Sequence, residues 1–121
     1  MTRTPRTIGP IANDSIVSMA ERLIRQHAGE PYNVGELVRD LAISRRCLEY
    51  HFRRDMACTP YDYICRMRVE RAKQMLAEPR PVAAEELARA CGFGSVRNLN
   101  RVFRRVTGQS PTEYRNSLRS I

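Results

Sequence analysis

Lysine is almost absent from this 121-residue chain: of 21 basic residues only Lys73 is lysine, the rest being arginine. Genomic composition explains so one-sided a ratio as well as selection for guanidinium forks does, so the positions of the arginines carry more information than their number. Long apolar runs are absent too. No stretch approaches the ~18 residues of a membrane-spanning helix, and the opening "MTRTPRTIGP" has no hydrophobic segment of the signal-peptide kind. A soluble, cytoplasmic protein with no membrane partner is expected. None of the four cysteines (Cys47, Cys58, Cys65, Cys91) belongs to a CxxC pair, and no histidine cluster accompanies them, so neither a zinc site nor a thioredoxin-like motif is spelled out. They are expected to be reduced core residues. Cys47 and His51 share a helical face, but two ligands without a second pair do not make a metal site. His27 and His51 fall on separate predicted helices and no Ser/His/Asp or Cys/His arrangement recurs. No enzyme, metal or cofactor is expected.

What the chain does have is a basic excess and helical periodicity. A formal charge of +8 attracts anions such as nucleic acid or acidic lipid, without choosing between them. Residues 1–13 mix Thr, Arg, Pro and Gly without period and read as a flexible tail or the end of a linker. From Asp14 on, Ile16, Val17, Ala20, Leu23 and Ile24 recur at helical spacing up to Gly29 and Pro31. "NVGELVRDLA" opens a second helix with Asn33 as cap and Glu36 at capping-box spacing, its inner face being Val34, Leu37, Val38 and Leu41. Ser44 caps a third helix that carries Leu48 and Phe52 inward. Thr59 and Pro60 start a long fourth helix, Pro at the first helical position lacking an N–H that would be unpaired anyway. Ile64, Val69, Ala72 and Leu76 give it an apolar face until Pro79 and Pro81, and its roughly 18 residues span ~27 Å.

Beyond that break the chain repeats itself. "LEYHFRRDMACTPYDY" at Leu48–Tyr63 and "LNRVFRRVTGQSPTEY" at Leu99–Tyr114 agree closely at seven positions, each pair 51 residues apart. Glu36-Leu37 match Glu86-Leu87 at offset 50, so one residue has been inserted between the two sets. It falls where "GFGS" replaces "AIS", in a turn, where an extra residue is tolerated. Ser110-Pro111, with Glu113 completing a capping box, starts a seventh helix. The expected fold is all-α: seven helices in two helix-turn-helix subdomains, about 14–58 and 82–121, joined by a long linker helix at about 59–78.

The second helix of such a motif can lie in a DNA major groove. At ~100° per residue, the side away from Leu48 and Phe52 collects Arg46, Glu49, Tyr50, Arg53 and Arg54. The side away from Leu99, Phe103 and Val106 collects Arg97, Asn100, Arg101, Arg104 and Arg105. A single surface helix with a charged outer face would carry little weight; two with matching positions carry more. Arg suits guanine O6/N7, Asn suits adenine N6/N7 and Glu accepts from cytosine N4, so two faces with different groups would recognise an asymmetric site. N-terminal residues of a recognition helix reach base edges and later ones meet the backbone. Base contacts are accordingly expected from Arg46, Glu49, Tyr50, Arg97, Asn100 and Arg101, with Asn98 as a further candidate. Phosphate contacts are expected from Arg53, Arg54, Arg104, Arg105, the Ser44 and Ser95 helix starts, and Arg45 on the flank. Glu49, four residues from both Arg45 and Arg53, could instead orient those guanidiniums.

With these residues in place, the chain from about Ile16 to Arg115 resembles the DNA-binding domain of the AraC/XylS family of bacterial transcription regulators. "ELARACGFGSVRNLNRVFRRVTGQSPTEYR" is similar to that family's second helix-turn-helix signature, and "SRRCLEYHFRR" with "RVERAKQML" to its first recognition helix and linker helix. The resemblance implies sequence-specific binding of double-stranded DNA, two recognition helices in successive major-groove segments, and regulation through RNA polymerase. It also implies a small-molecule sensor, for which no segment here is long enough. Two explanations stand, a minimal stand-alone regulator or the C-terminal piece of a longer one, and the Pro-containing tail, which fits the end of a linker, favours the second. Three positions depart from the family pattern: Ala83 at a usual Ser/Thr cap, Ala57 at a frequent Gly, and Leu99 at a common aromatic. The rival reading is a basic protein that binds nucleic acid without regard to sequence.

Overall fold

The computed structural model describes residues 15–119, and these form seven α-helices and no strand. We number them α1 (Ile16–Gln26), α2 (Val34–Leu41), α3 (Arg45–Met56), α4 (Pro60–Ala77), α5 (Ala84–Ala90), α6 (Val96–Thr107) and α7 (Pro111–Arg119). The tail expected at residues 1–13 lies outside the described residues. Chain contacts divide into two compact units: residues up to His27 with Tyr32–Tyr63, and Ala28–Pro31 with Ile64 onwards. α4 is one continuous helix whose first four residues belong to the first unit and the remainder to the second.

In the first unit α1 begins at Ser15, whose hydroxyl accepts from the Ser18 N–H. The capping box expected at α2 is present in both directions: Glu36 N–H to Asn33 Oδ1 and Asn33 N–H to Glu36 Oε1, each 2.9 Å. Val17, Ala20, Ile24, Val34, Leu37, Leu48 and Phe52 form the core. Phe52 meets Tyr63 edge to face at 5.6 Å, and the Tyr63 hydroxyl donates to Glu21 at 2.8 Å. Burial, reinforced by that carboxylate, pushes the Tyr63 phenol up to about 12. Tyr32 repeats the arrangement, its hydroxyl on Asp40 at 2.6 Å and its ring stacked on His27 at 4.1 Å.

The second unit is built around Val69, Ala72, Leu76, Leu87, Cys91, Phe93, Leu99, Val102 and Phe103. Phe103 and Tyr114 reproduce the edge-to-face pair of the first unit, at 5.7 Å. The Ser110–Glu113 capping box opens α7 as expected. α5 begins at Ala83 without any side-chain cap bond. Arg115, on α7, serves the other end of a helix: its guanidinium donates to the carbonyls of Glu78, Pro79 and Arg80 where α4 ends.

Two expectations about the core, Val106 and Cys47, need correcting. Val106 was placed inside with Leu99 and Phe103, but it is 38% exposed, whereas Val102 is buried. Helical periodicity gives the angle of a residue about the axis and not its distance along it. Val106 has the inward angle but stands in the last turn of α6. Cys58, Cys65 and Cys91 are buried free thiols, and Cys47 is only half-buried.

The turns explain the shift in repeat spacing. α2 closes with Ala42 N–H on Arg39 O and Ile43 N–H on Val38 O; α5 continues into the same two bonds, Gly92 N–H on Arg89 O and Phe93 N–H on Ala88 O. Both are Schellman closures, so Ala42 corresponds to Gly92 and Ile43 to Phe93. The next equivalence, Ser44 to Ser95, is one residue longer, which identifies Gly94 as the insertion. Gly92 tolerates no substitute: its φ is +83°, and a Cβ there would stand 2.6 Å from the Glu30 carbonyl oxygen.

Candidate nucleic-acid interface

Both candidate recognition helices start the same way. Ser44 accepts from the Cys47 N–H at 3.0 Å and Ser95 from the Asn98 N–H at 3.1 Å, so each hydroxyl expected to meet phosphate is already committed as an N-cap acceptor. The remaining first-turn N–H groups and the positive helix end are what each start can offer an anion. Leu48 and Phe52 in α3, and Leu99 and Phe103 in α6, are fully buried. That anchorage turns the opposite sides outward.

On α3, Arg45, Arg46, Arg53 and Arg54 are exposed and Glu49 is half-buried. Tyr50, 60% exposed, is the most exposed large hydrophobic side chain of the described residues. Arg54 is engaged: its Nε donates to Asp55 at 2.8 Å and its guanidinium lies over the Tyr50 ring at 5.6 Å. The Arg54 bond holds the Asp55 carboxyl below its ordinary range. The ion pairs that would have made Glu49 an orienting group for Arg45 or Arg53 are not formed; Arg54 pairs with its sequence neighbour instead.

On α6, Arg97, Asn100, Arg101, Arg104 and Arg105 are exposed. Arg104 donates to Glu113 at 3.3 Å. The backbone N–H of Ser110, together with Arg104, keeps the Glu113 carboxyl below its ordinary range. Asn98 does not stand with the exposed groups. It is half-buried, its Nδ2 donates to the Phe93 carbonyl at 3.0 Å, and its Oδ1 accepts from Arg101 Nη2 at 2.6 Å. Sequence spacing also missed a groove in which Asn100 is joined by Thr112, Arg115 and Arg119 of α7. The only signal was the polar run after Pro111, which is equally the mark of a solvated helix.

The two faces differ in charge. α3 carries four arginines with Glu49 and Asp55, net +2, whereas α6 carries four arginines and no acid, net +4. Both can offer guanidinium forks and amide or hydroxyl groups to polar edges. Among the described residues no group of His, Cys, Asp and Glu could hold a metal ion, and no helix is long and apolar enough to cross a membrane.

A family model described as "Helix-turn-helix domain" matches residues 37–117. The chain belongs to the AraC-type helix-turn-helix family. Among AraC-type relatives, it is 33% identical over 96 residues to a probable transcriptional regulator, LumQ, of Photobacterium leiognathi, covering 79% of this chain and 38% of that protein. It is 32% identical over 103 residues to a putative AraC-like transcription regulator of Streptomyces antibioticus, covering 84% and 33%. The chain thus spans about a third of the length of the curated relatives it matches. Of solved AraC-type structures, the DNA-binding domain of AdpA, a global transcriptional factor, in complex with a target DNA, superposes with a TM-score of 0.78 at 29% identity, covering 88% of this chain and 96% of that one. The C-terminal domain of AraT, a response regulator from Geobacillus stearothermophilus, shares the fold at TM-score 0.79 and 20% identity, with 86% of each chain covered.

Proposed function

We propose that this chain is the DNA-binding part of an AraC-type transcription regulator and recognises double-stranded DNA by sequence. The observation that supports it is repetition: a serine-capped helix, anchored by Leu and Phe and faced with arginines, occurs once in each unit at equivalent positions. The AdpA domain, similar in fold and sequence, is one crystallised with a target DNA. In this reading α3 and α6 enter successive major-groove segments, with α4 as the linker between them. Arg46, Glu49, Tyr50, Arg97, Asn100 and Arg101 meet base edges, and Arg45, Arg53, Arg54, Arg104, Arg105 and the two helix starts meet phosphates. Arg54 and Arg104 then exchange Asp55 and Glu113 for phosphate on binding. Because the two faces carry different groups, the operator is asymmetric.

By resemblance to the family, the bound regulator acts through RNA polymerase in the bacterial cytoplasm, and any small-molecule effector acts through a sensor domain outside this chain. Selection of bound duplexes from a random pool tests the proposal. A recovered asymmetric consensus, with a specific affinity that exceeds binding to random duplex, is the expected result. An unenriched pool, with equal affinity and equal salt slope for all duplexes, would establish sequence-indifferent binding instead.

A further inference from the structure

We infer that Asn98 is a positioning residue for DNA readout, a brace that fixes the Arg101 guanidinium and thereby sets base preference without touching a base. The inference rests on the proposed role of Arg101 as a base reader.

The chemistry leaves only one orientation for the amide. The Phe93 carbonyl can only accept, so the group facing it at 3.0 Å must be the Nδ2 amine. A guanidinium can only donate, so the group facing Arg101 Nη2 at 2.6 Å must be Oδ1. Turning the amide over would break both bonds at once. The far end of the brace is firm: Phe93 is buried, and its own N–H is held by the Ala88 carbonyl at 2.9 Å. The near end is rooted as well, since the Asn98 backbone N–H closes the Ser95 cap. Arg101 is an exposed side chain with several rotatable bonds, and holding one of its nitrogens in advance reduces the rotamer freedom lost when it engages a base.

The device belongs to one repeat only. The positions equivalent to Asn98 and Arg101 are Cys47 and Tyr50, which offer neither the amide nor the fork. Both the carbonyl that Asn98 uses and the inserted Gly94 lie in the α5–α6 turn. The extra residue and the brace therefore occur together, and the shape of that turn is transmitted to a reading side chain.

The test uses the full chain and the consensus duplex recovered from a random pool, together with every single-base variant of it. Arg101→Ala defines which base position Arg101 reads. Asn98→Ala is expected to lower discrimination at that same position by about fivefold to tenfold, a part of what a bidentate arginine–base contact supplies, while leaving binding to random duplex and the preferences elsewhere unchanged. Asn98→Asp retains an acceptor for Arg101 but loses the donor to the Phe93 carbonyl, so with the far end of the brace released discrimination at that position should also fall, at lower affinity for every duplex. The double variant Asn98→Ala/Arg101→Ala should discriminate no worse than Arg101→Ala alone.

A preference lost at a position that Arg101→Ala leaves intact would show that Asn98 reads a base itself and would overturn the brace. So would a uniform loss of affinity with all preferences kept, the sign of a purely structural role. Should Asn98→Ala fail to fold, the Asn98→Asp profile decides alone: full retention of preference at the Arg101 position, with the Phe93 anchor gone, rejects the inference. If Arg101→Ala alters no preference anywhere, the base-reading role of Arg101 fails and the brace with it. That outcome is distinguished by the Arg101 single variant, before Asn98 is considered.

Discussion

Ala57 and Gly108, 51 positions apart, end α3 and α6 in the same left-handed conformation, at φ 57° and 83°. Each donates its N–H to the carbonyl of the arginine four residues back, Arg53 at 3.2 Å and Arg104 at 2.8 Å. The fold demands this conformation twice, and only one repeat supplies the residue that adopts it freely. A Cβ at Gly108 would meet nothing within 4 Å, so the difference between the sites is backbone strain and not crowding. Left-handed φ costs a non-glycine residue about 1–2 kcal/mol, partly offset by the smaller unfolded-state entropy of alanine. Ala57→Gly should therefore stabilise the protein by about 0.5–1 kcal/mol and Gly108→Ala should destabilise it by about the same. Urea unfolding of the two variants beside the parent reads both signs.

α5 starts at Ala83, in extended conformation at φ −72° and ψ 150° but with no side-chain acceptor for its first N–H groups. Every other helix of the described residues opens on a Ser, Asn or Thr bonded in this way. The backbone is already in cap geometry, so a hydroxyl needs no rearrangement to bond. Ala83→Ser should raise stability by about 1 kcal/mol, and a carboxylate at the same place should do so at least as well because it also meets the helix dipole. A rise in thermal midpoint with unchanged DNA affinity is the expected outcome.

Buried acids make the fold sensitive to base, Tyr32 among them, its phenol pushed up by burial and the Asp40 bond. Burial pushes the Cys91 thiol from its ordinary 9.0 up to about 11, and burial with the Glu21 bond pushes Tyr63 from 10.0 up to about 12. In each the neutral form is favoured by folding. The associated stability is fully present below the unfolded values and is lost as pH rises through the folded ones. Denaturant midpoints should therefore hold steady up to about pH 9 and fall progressively between 9 and 12. Cys91→Ala should flatten the part of that fall below pH 11 whatever it does to the baseline stability. In the parent, Cys91 should react with an alkylating reagent at pH 8 only through unfolding, whereas half-buried Cys47 should react directly.

Much of this was legible in the chain. The offset-51 repeat, the two capping boxes, Pro60 behind Thr59 and the inward Leu–Phe pairs are all local patterns, and each is present. The family signature likewise pointed to AraC-type regulators. What was not legible depends on facts that a periodic pattern does not hold. Val106 required the length of α6 relative to its neighbours. Asn98 has the spacing of an outward residue, but its side chain is drawn to a carbonyl in the preceding turn, which no single-helix projection contains. Glu49 has the i, i+4 spacing to Arg45 and Arg53, yet the ion pair on α3 is between Arg54 and its sequence neighbour Asp55. Arg115, read as the edge of the family match, closes α4 from 35 to 37 residues away in sequence.

The division between reading and positioning can be tested on α6, whose face carries Arg97 in the first turn and Arg105 in the last. Arg97, one residue into α6, and Arg105, eight residues further on, are both exposed; in the proposed reading the first meets base edges and the second the backbone. Arg97→Ala should cost about 1–3 kcal/mol on the consensus duplex and much less on random duplex, which narrows the gap between them and relaxes preference at one position. Arg105→Ala should weaken every duplex alike and lower the slope of log K against log salt by about 1. The charge difference between the helices adds a second readout. With net +4 on α6 and +2 on α3, Asp55→Asn should strengthen binding to all duplexes, because it frees Arg54 for phosphate and removes a repelling carboxylate from the weaker face. Fluorescence anisotropy on consensus and scrambled duplexes, repeated across salt concentrations, measures all three variants. If Arg97→Ala and Arg105→Ala gave the same profile on both duplexes, the assignment of roles along the helix would be wrong even though DNA is bound.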